Sequence, residues 1–212
     1  MSEYSSRLAY LLGEMQRQMN GGVVGSMRFY GDDYGLNYGV TLTTIRAIAK
    51  GEREQQGGAN HRLAKLLYRQ EVRELRLAGL WLADSTDADS DLEFWGRGII
   101  NSDVAEEAAF ALLHRCEGVD RWLDSDSELL QYCALMAIAK RGEIVLAKYC
   151  HSIVKLINDA THITQNGVVA LLDSAIKCGV ESDEITTLLS KLSECKAAEY
   201  VRSEMAWRLE YR

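Results

Sequence analysis

The sequence predicts an all-α fold made of short amphipathic helices, and three observations support this. The 212 residues include no proline, which would end helices and mark loops. Alanine and leucine, both strong helix formers, dominate the apolar positions. Few stretches alternate between apolar and polar residues as a half-buried strand requires. The chain is also long enough to bury a substantial core.

The helices are predicted from apolar periodicity and from the residues that begin and end them. The first covers 4–19, and the Gly21-Gly22 pair ends it before a second, weaker helix. Thr41 is a plausible N-cap for a third, and Asn60 or Ala59 begins the fourth. The helices from there onward are predicted over 59–70, 71–84, 88–99, 103–115, 126–141, 143–158, 163–178, 181–193 and 196–210.

Helices of this length, joined by a few polar or glycine residues, each need a neighbour to cover an apolar face. We therefore predict one domain over residues 1–212, an α-α superhelix in which antiparallel helix pairs form a HEAT-like repeat solenoid. Because the repeats are inexact in sequence, this prediction depends on helix length and cadence. A compact helical bundle is the alternative.

Charge is unevenly distributed along the chain. The formal net charge of −7 argues against indiscriminate binding to nucleic acid. Residues 41–79, however, contain eight basic and four acidic side chains, and the segment 84–128 is strongly acidic. A protein with one basic face and an acidic remainder can still bind a polyanion through the basic face.

The cysteines and the hydropathy of the chain bear on disulfides, metal binding, membrane insertion and cellular location. Five scattered cysteines, an odd number without a CxxC pair, predict reduced thiols rather than a disulfide framework. His114, Cys116, Cys150 and His151 lack the ligand spacing of a zinc site. We predict no metal, no cofactor and no membrane span. A cytoplasmic monomer is the simple expectation.

A carboxylate cluster follows the apolar segment DLEFWGRGII. Asp103, Glu106 and Glu107 sit at positions i, i+3 and i+4, so they project from the same side of one helix. One interpretation is an acidic first turn on a solvated helix, where the helix dipole favours anions. The other is a site that stabilises developing positive charge.

Basic residues recur at helical spacing across the segment 41–79. Such a stripe is either a solvated face or a set of phosphate contacts, and phosphate binding would be sensitive to salt. The candidate phosphate contacts are Arg46, Lys50, Arg62, Lys65, Arg69 and Arg73. The four tryptophans, Trp81, Trp95, Trp122 and Trp207, lie on apolar helix faces and are predicted to pack in the core.

Several segments, in order, resemble the bacterial HEAT-like-repeat DNA alkylation repair family, the group of the AlkD glycosylase. YGVTLTTIRAIAK is similar to a glycine-containing turn and a helix with an arginine near its start. LLYRQEVRELRLAGLWLAD and DLEFWGRGIINSDVAEEAA resemble a helix pair and the approach to the catalytic helix. LLQYCALMAIAKRG resembles the long helix that follows, and AAEYVRSEMAWRLEYR resembles the closing helix. The resemblance covers about residues 20 to 212.

The resemblance implies removal of N3- or N7-alkylated purines from double-stranded DNA by cleavage of the N-glycosidic bond. Glu106 falls where the family carries its catalytic aspartate, and Asp103 falls on a second acidic position. The chain departs from the pattern at three places. Ser102 replaces a tryptophan, Tyr132 stands where a DNA-contacting arginine is expected, and no tryptophan lies near Ser174. Tyr132 thus becomes a candidate DNA contact. The alternative is a catalytically inactive repeat module that binds nucleic acid or a protein partner.

Overall fold

The computed structural model describes residues 3–29, 36–158 and 160–211. Over these ranges the chain forms thirteen α-helices and two 3₁₀ helices. The described residues contain no β-strand, only one isolated parallel bridge between Leu36 and Val72. The predicted all-α fold class is confirmed.

The chain divides by its internal contacts into two compact units, Met1–Gly98 (unit 1) and Ile99–Arg212 (unit 2). Unit 1 contains α1 (Glu3–Arg17), α2 (Gly21–Phe29), α3 (Leu42–Gln55), α4 (His61–Tyr68), α5 (Arg73–Leu82), α6 (Ser85–Asp89) and α7 (Leu92–Arg97). Unit 2 contains α8 (Ser102–Ala111), α9 (Glu128–Lys140), α10 (Leu146–Asn158), α11 (His162–Lys177), α12 (Ser182–Ser190) and α13 (Lys196–Glu210). The 3₁₀ helices Leu113–Arg115 and Glu117–Asp124 connect α8 to α9. A single domain over 1–212 stays a prediction.

Unit 1 is organised around α5, which packs against α3 and α4. Leu63 and Leu67 of α4 are fully buried in this core. The N-caps of α3 and α4 are confirmed: the Thr41 side chain accepts from the Thr44 N–H at 3.3 Å, and Asn60 accepts from the Leu63 N–H at 3.0 Å. These caps satisfy amide donors that have no partner inside the helix.

Two charged side chains at the start of α5 are buried in unit 1. Glu74 is 0% exposed and accepts hydrogen bonds from the backbone N–H groups of Tyr38 (3.1 Å) and Val40 (3.2 Å). Arg73 is 2% exposed and donates to the Val40 carbonyl at 3.0 Å. The pair therefore attaches the segment before α3 to the beginning of α5.

Unit 2 is organised around α9, which packs against both α8 and α11. Cys133, Leu135 and Ile138 of α9 are fully buried. The helix α11 packs in turn against α13, while α10 and α12 contact each other and α13. The helices α9, α11 and α13 thus pack one after another, as they do in stacked helix pairs.

Two stretches differ from the sequence prediction. The helix expected over 88–99 is shorter and corresponds to α7. A separate short helix, α6, precedes it and begins where Asp84 accepts from the Thr86 N–H at 2.9 Å. The helix expected over 103–115 ends at Ala111, and the 3₁₀ helices follow. Their carbonyls are satisfied from a distance, because Arg141 donates to those of His114 (3.2 Å) and Cys116 (2.9 Å).

The tryptophans divide into two groups. Trp95 (0% exposed) and Trp122 (7% exposed) are core residues, as predicted. Trp81 is half-buried beneath the Arg46 guanidinium, whose carbon lies 5.4 Å from the ring centroid. Trp207 is 51% exposed, so the core prediction for it is wrong.

Candidate active site

The predicted carboxylate cluster lies at the start of α8 in unit 2. The Asn101 side chain caps this helix by accepting from the Val104 N–H at 3.0 Å. Asp103 and Glu106 are partly exposed, whereas Glu107 is 2% exposed and points into the unit. The cluster therefore presents Asp103 and Glu106, but not Glu107, at the surface.

The structure brings Glu106 and Tyr132 together across the α8–α9 interface. The Tyr132 hydroxyl donates a hydrogen bond to Oε1 of Glu106. Within the described residues, this is the one hydrogen bond of the Glu106 side chain, and no basic side chain forms an ion pair with it. The second carboxylate oxygen is consequently not engaged by a described donor.

Tyr132 is a neutral donor. Burial, and after it the hydrogen bond and charge of Glu106, raise the pKa of Tyr132 far above its usual value. The side chain is 6% exposed. It therefore remains protonated at neutral pH and binds one oxygen of Glu106. Because the phenol is neutral, Glu106 keeps its net negative charge, which an arginine or lysine partner would neutralise. Tyr132 is thus a buried partner of Glu106, and its predicted contact with DNA stays a prediction.

Three of the predicted DNA contacts line a cleft in unit 1. Arg62, Lys65 and Arg69 come from α4 and its C-terminal end, and the cleft has a volume of about 350 Å³. Tyr4, Ser5 and Leu66 complete its lining. The cleft thus combines three cationic side chains with the first turn of α1.

Aromatic rings hold these cations in place. The Arg62 guanidinium carbon lies 4.7 Å from the centroid of the Tyr4 ring. Lys65 and Arg69 lie over Phe94, at 4.9 Å and 5.1 Å from its centroid. Lys65 also forms an ion pair with Asp91. Stacking on a ring orders an arginine while leaving its N–H donors available to an anion.

The other predicted DNA contacts have different surroundings. Arg46 stacks on Trp81, and the exposed Lys50 lies 3.9 Å from Glu54. Arg73 is buried and donates a hydrogen bond to the Val40 carbonyl, unlike the other predicted cations, and its phosphate contact stays a prediction. The structure therefore places the carboxylate site in unit 2 and the surface cations in unit 1.

The comparisons with known proteins identify the family. The family model described as DNA alkylation repair enzyme matches residues 12–181. The chain belongs to the DNA alkylation repair enzyme family. No curated protein and no solved structure matches the chain. The matched range includes the whole of α8, α9 and α11, and hence the Glu106–Tyr132 pair.

Family membership confirms the resemblance and gives the chain a general role in DNA alkylation repair. No helix among the described residues is both long enough and apolar enough to cross a bilayer. In the same part of the chain, no group of three or more His, Cys, Asp or Glu side chains is arranged to hold a metal ion.

Sequence reasoning missed two contributors to these sites. Phe94, whose ring lies beneath Lys65 and Arg69, carries no signal of this role in the sequence, because its partners are 29 and 25 residues away. Gly167, which packs against the Tyr132 ring, lies inside α11. A glycine in the interior of a helical pattern is a recognisable signal, since it is unfavourable there unless close packing requires it.

Proposed function

We propose that the chain excises N3- or N7-alkylated purines from double-stranded DNA by hydrolysing the N-glycosidic bond. The observation that carries the proposal is the partly exposed Glu106 carboxylate, held by Tyr132 on helices that belong to the matched family range. The general repair role does not specify these details. The proposal names the bond that is cleaved, the class of substrate and the residue responsible.

The chemistry of the substrate explains why a carboxylate suffices. Alkylation at N3 or N7 makes the purine cationic, so it leaves readily without a general acid. The remaining requirement is to stabilise the oxocarbenium-like sugar and to admit water. A fixed negative charge near the sugar meets that requirement electrostatically, because it need not reorganise during the reaction.

Glu106 is assigned the catalytic role because one of its oxygens is already oriented. Tyr132 binds Oε1, so Oε2 is the oxygen proposed to face the sugar or its attacking water. Asp103 lies one turn earlier on α8 and is partly exposed. We assign it a supporting role, adding negative potential on the same side of the helix.

The surface cations of unit 1 are proposed to contact DNA phosphates. Arg62 and Arg69 are exposed, and each lies over an aromatic ring, Tyr4 for Arg62 and Phe94 for Arg69. The remaining proposed contacts are Lys65, Arg46 and Lys50. Binding through these residues would weaken steeply with salt, because each phosphate contact releases counterions.

The test is release of N3-methyladenine and N7-methylguanine from methylated duplex DNA. We expect the wild-type chain to release both bases, and Glu106→Gln to lower the single-turnover rate by about a hundredfold. Asp103→Asn should have a smaller effect. Glu184→Gln is the matched control, since Glu184 is an exposed carboxylate elsewhere in unit 2. Wild-type protein that binds the duplex but releases neither base would refute glycosylase activity.

One observation favours a second function, binding of alkylated DNA without cleavage. Tyr132 occupies Oε1 of Glu106 and draws away part of its charge, which weakens electrostatic stabilisation of a cation. Under this alternative, the chain prefers methylated over unmodified duplex but leaves the glycosidic bond intact. Equal affinity for the two duplexes would exclude it and leave a protein partner as the remaining candidate.

A further inference from the structure

Gly167 of α11 lies beside the ring of Tyr132. A Cβ atom at position 167 would lie 3.0 Å from Cδ2 of Tyr132. It would also lie 2.9 Å from Cδ1 and 3.1 Å from Cβ of Leu135. Both neighbours belong to α9 and are buried, so neither can move freely into solvent.

Two other helical glycines, Gly25 and Gly51, lack such close neighbours. A Cβ atom added at Gly25 of α2 or at Gly51 of α3 would meet nothing within 4 Å. Glycine is unfavourable inside a helix, because it loses more backbone freedom than any other residue. At position 167, unlike the other two, the absent side chain allows a close approach between two helices.

The Tyr132 ring connects this close approach to the carboxylate. One edge of the ring rests on Gly167, and the hydroxyl at its end donates to Glu106. Because an aromatic ring is rigid, a displacement at its edge is carried to its hydroxyl. Hydrogen bonds weaken steeply as their distance and angle depart from the optimum.

We infer that Gly167 is a positioning residue for Glu106 and acts through Tyr132. Three helices then cooperate: α11 sets the ring, α9 carries it, and α8 presents the carboxylate that the ring orients. The catalytic consequence of this arrangement rests on the proposed function, whereas the positioning itself does not.

The first experiment measures positioning without activity. Protein labelled with ¹³Cζ-tyrosine gives one signal per tyrosine, and Tyr132→Phe assigns the signal of Tyr132. Glu106→Gln shows where that signal moves when the charged acceptor is lost. We expect Gly167→Ala to move it in the same direction, while Gly25→Ala leaves it in place. A folded Gly167→Ala protein with an unshifted Tyr132 signal would overturn the inference.

The second experiment is a double-mutant cycle on base release. We expect Gly167→Ala to slow release by about tenfold in the wild-type background, since small misplacements of reacting groups are costly. In the Tyr132→Phe background the same substitution should change the rate less than about twofold. Equal losses in both backgrounds would show that Gly167 acts through overall stability instead of through Tyr132.

Two outcomes separate the inference from the proposed function. If no purine is released by any variant, the glycosylase proposal fails, and the tyrosine signal alone decides the positioning role. If Gly167→Ala does not fold, Leu135→Val with Gly167→Ala removes the Leu135 Cδ1 contact and keeps the Tyr132 contact. The Tyr132 signal of that folded double variant is then decisive in the same way.

Discussion

Units 1 and 2 use ionisable side chains in different ways. In unit 1 the carboxylate of Glu74 is fully buried, close to Arg73 and hydrogen-bonded to two backbone N–H groups. In unit 2 the carboxylate of Glu106 is partly exposed and has a neutral phenol as its donor. The first carboxylate is committed to holding the chain together. The second has one oxygen that no described donor engages.

The comparison teaches that an acidic residue in a helix acquires its role from its partners. Both glutamates lie within the first half of a ten-residue helix. What separates them is how completely the surrounding groups satisfy the carboxylate. Substitutions that remove these partners should therefore affect stability in unit 1 and chemistry in unit 2.

The largest expected effect is that of Glu74→Ala. It removes the carboxylate beside the buried Arg73 and leaves two backbone N–H groups without their acceptor, which should lower the free energy of unfolding by about 3–5 kcal/mol. Urea denaturation measures the loss. Glu54→Ala is the matched control, because Glu54 is exposed and should cost less than about 0.5 kcal/mol. Equal losses for the two variants would remove the contrast between the units.

Tyr132→Phe should have a smaller effect on stability and a clear effect on activity. It deletes one hydrogen bond to a partly exposed carboxylate, worth about 1 kcal/mol in the free energy of unfolding. The rate of base release should fall about tenfold, because Glu106 loses its orientation. Urea denaturation and single-turnover assays on the same preparation separate the two effects. A stability loss as large as that of Glu74→Ala would contradict the assignment.

Alkaline pH should destabilise unit 2 through α9. Burial raises the pKa of the Tyr132 phenol and of the Cys133 thiol. A group with a raised pKa binds its proton more tightly in the folded chain than in the unfolded chain. Its contribution to the free energy of unfolding is therefore complete below the unfolded-state pKa and is lost as the pH rises above that value. For Tyr132 that loss begins at about pH 10. The urea midpoint should fall as pH rises further, and more gently in Tyr132→Phe. An identical fall in both proteins would exclude Tyr132 as its source.

The smallest expected effect is that of Arg62→Ala on DNA binding. Loss of one phosphate contact should lower the slope of log affinity against log salt by about 0.9, with little change in stability. Fluorescence anisotropy across a salt series measures the slope. Arg121→Ala is the control, since this exposed arginine lies in the acidic stretch of unit 2. Equal slopes for wild type and Arg62→Ala would place the phosphate contacts elsewhere.

Much of the fold, and part of the site, was predictable from the sequence. The cadence of the helices and the caps at Thr41 and Asn60 depend on residues within a few positions of one another, and both are confirmed. The 3₁₀ stretch after α8 was not predictable, because Arg141 satisfies its carbonyls from 25 and 27 residues away. The exposure of Trp207 was likewise not predictable, because helical periodicity places this residue on an apolar face.

The sequence by itself determined an all-helical chain, its family, and a cluster of carboxylates at the start of α8. Only the tertiary structure decided that Glu107 and Arg73 are buried, and that Tyr132 turns towards Glu106. The physical reason is the range of the interactions. Helix formation is governed by neighbours three or four positions apart, whereas the Tyr132–Glu106 hydrogen bond joins residues 26 positions apart. Such a bond exists only after α8 and α9 have packed together.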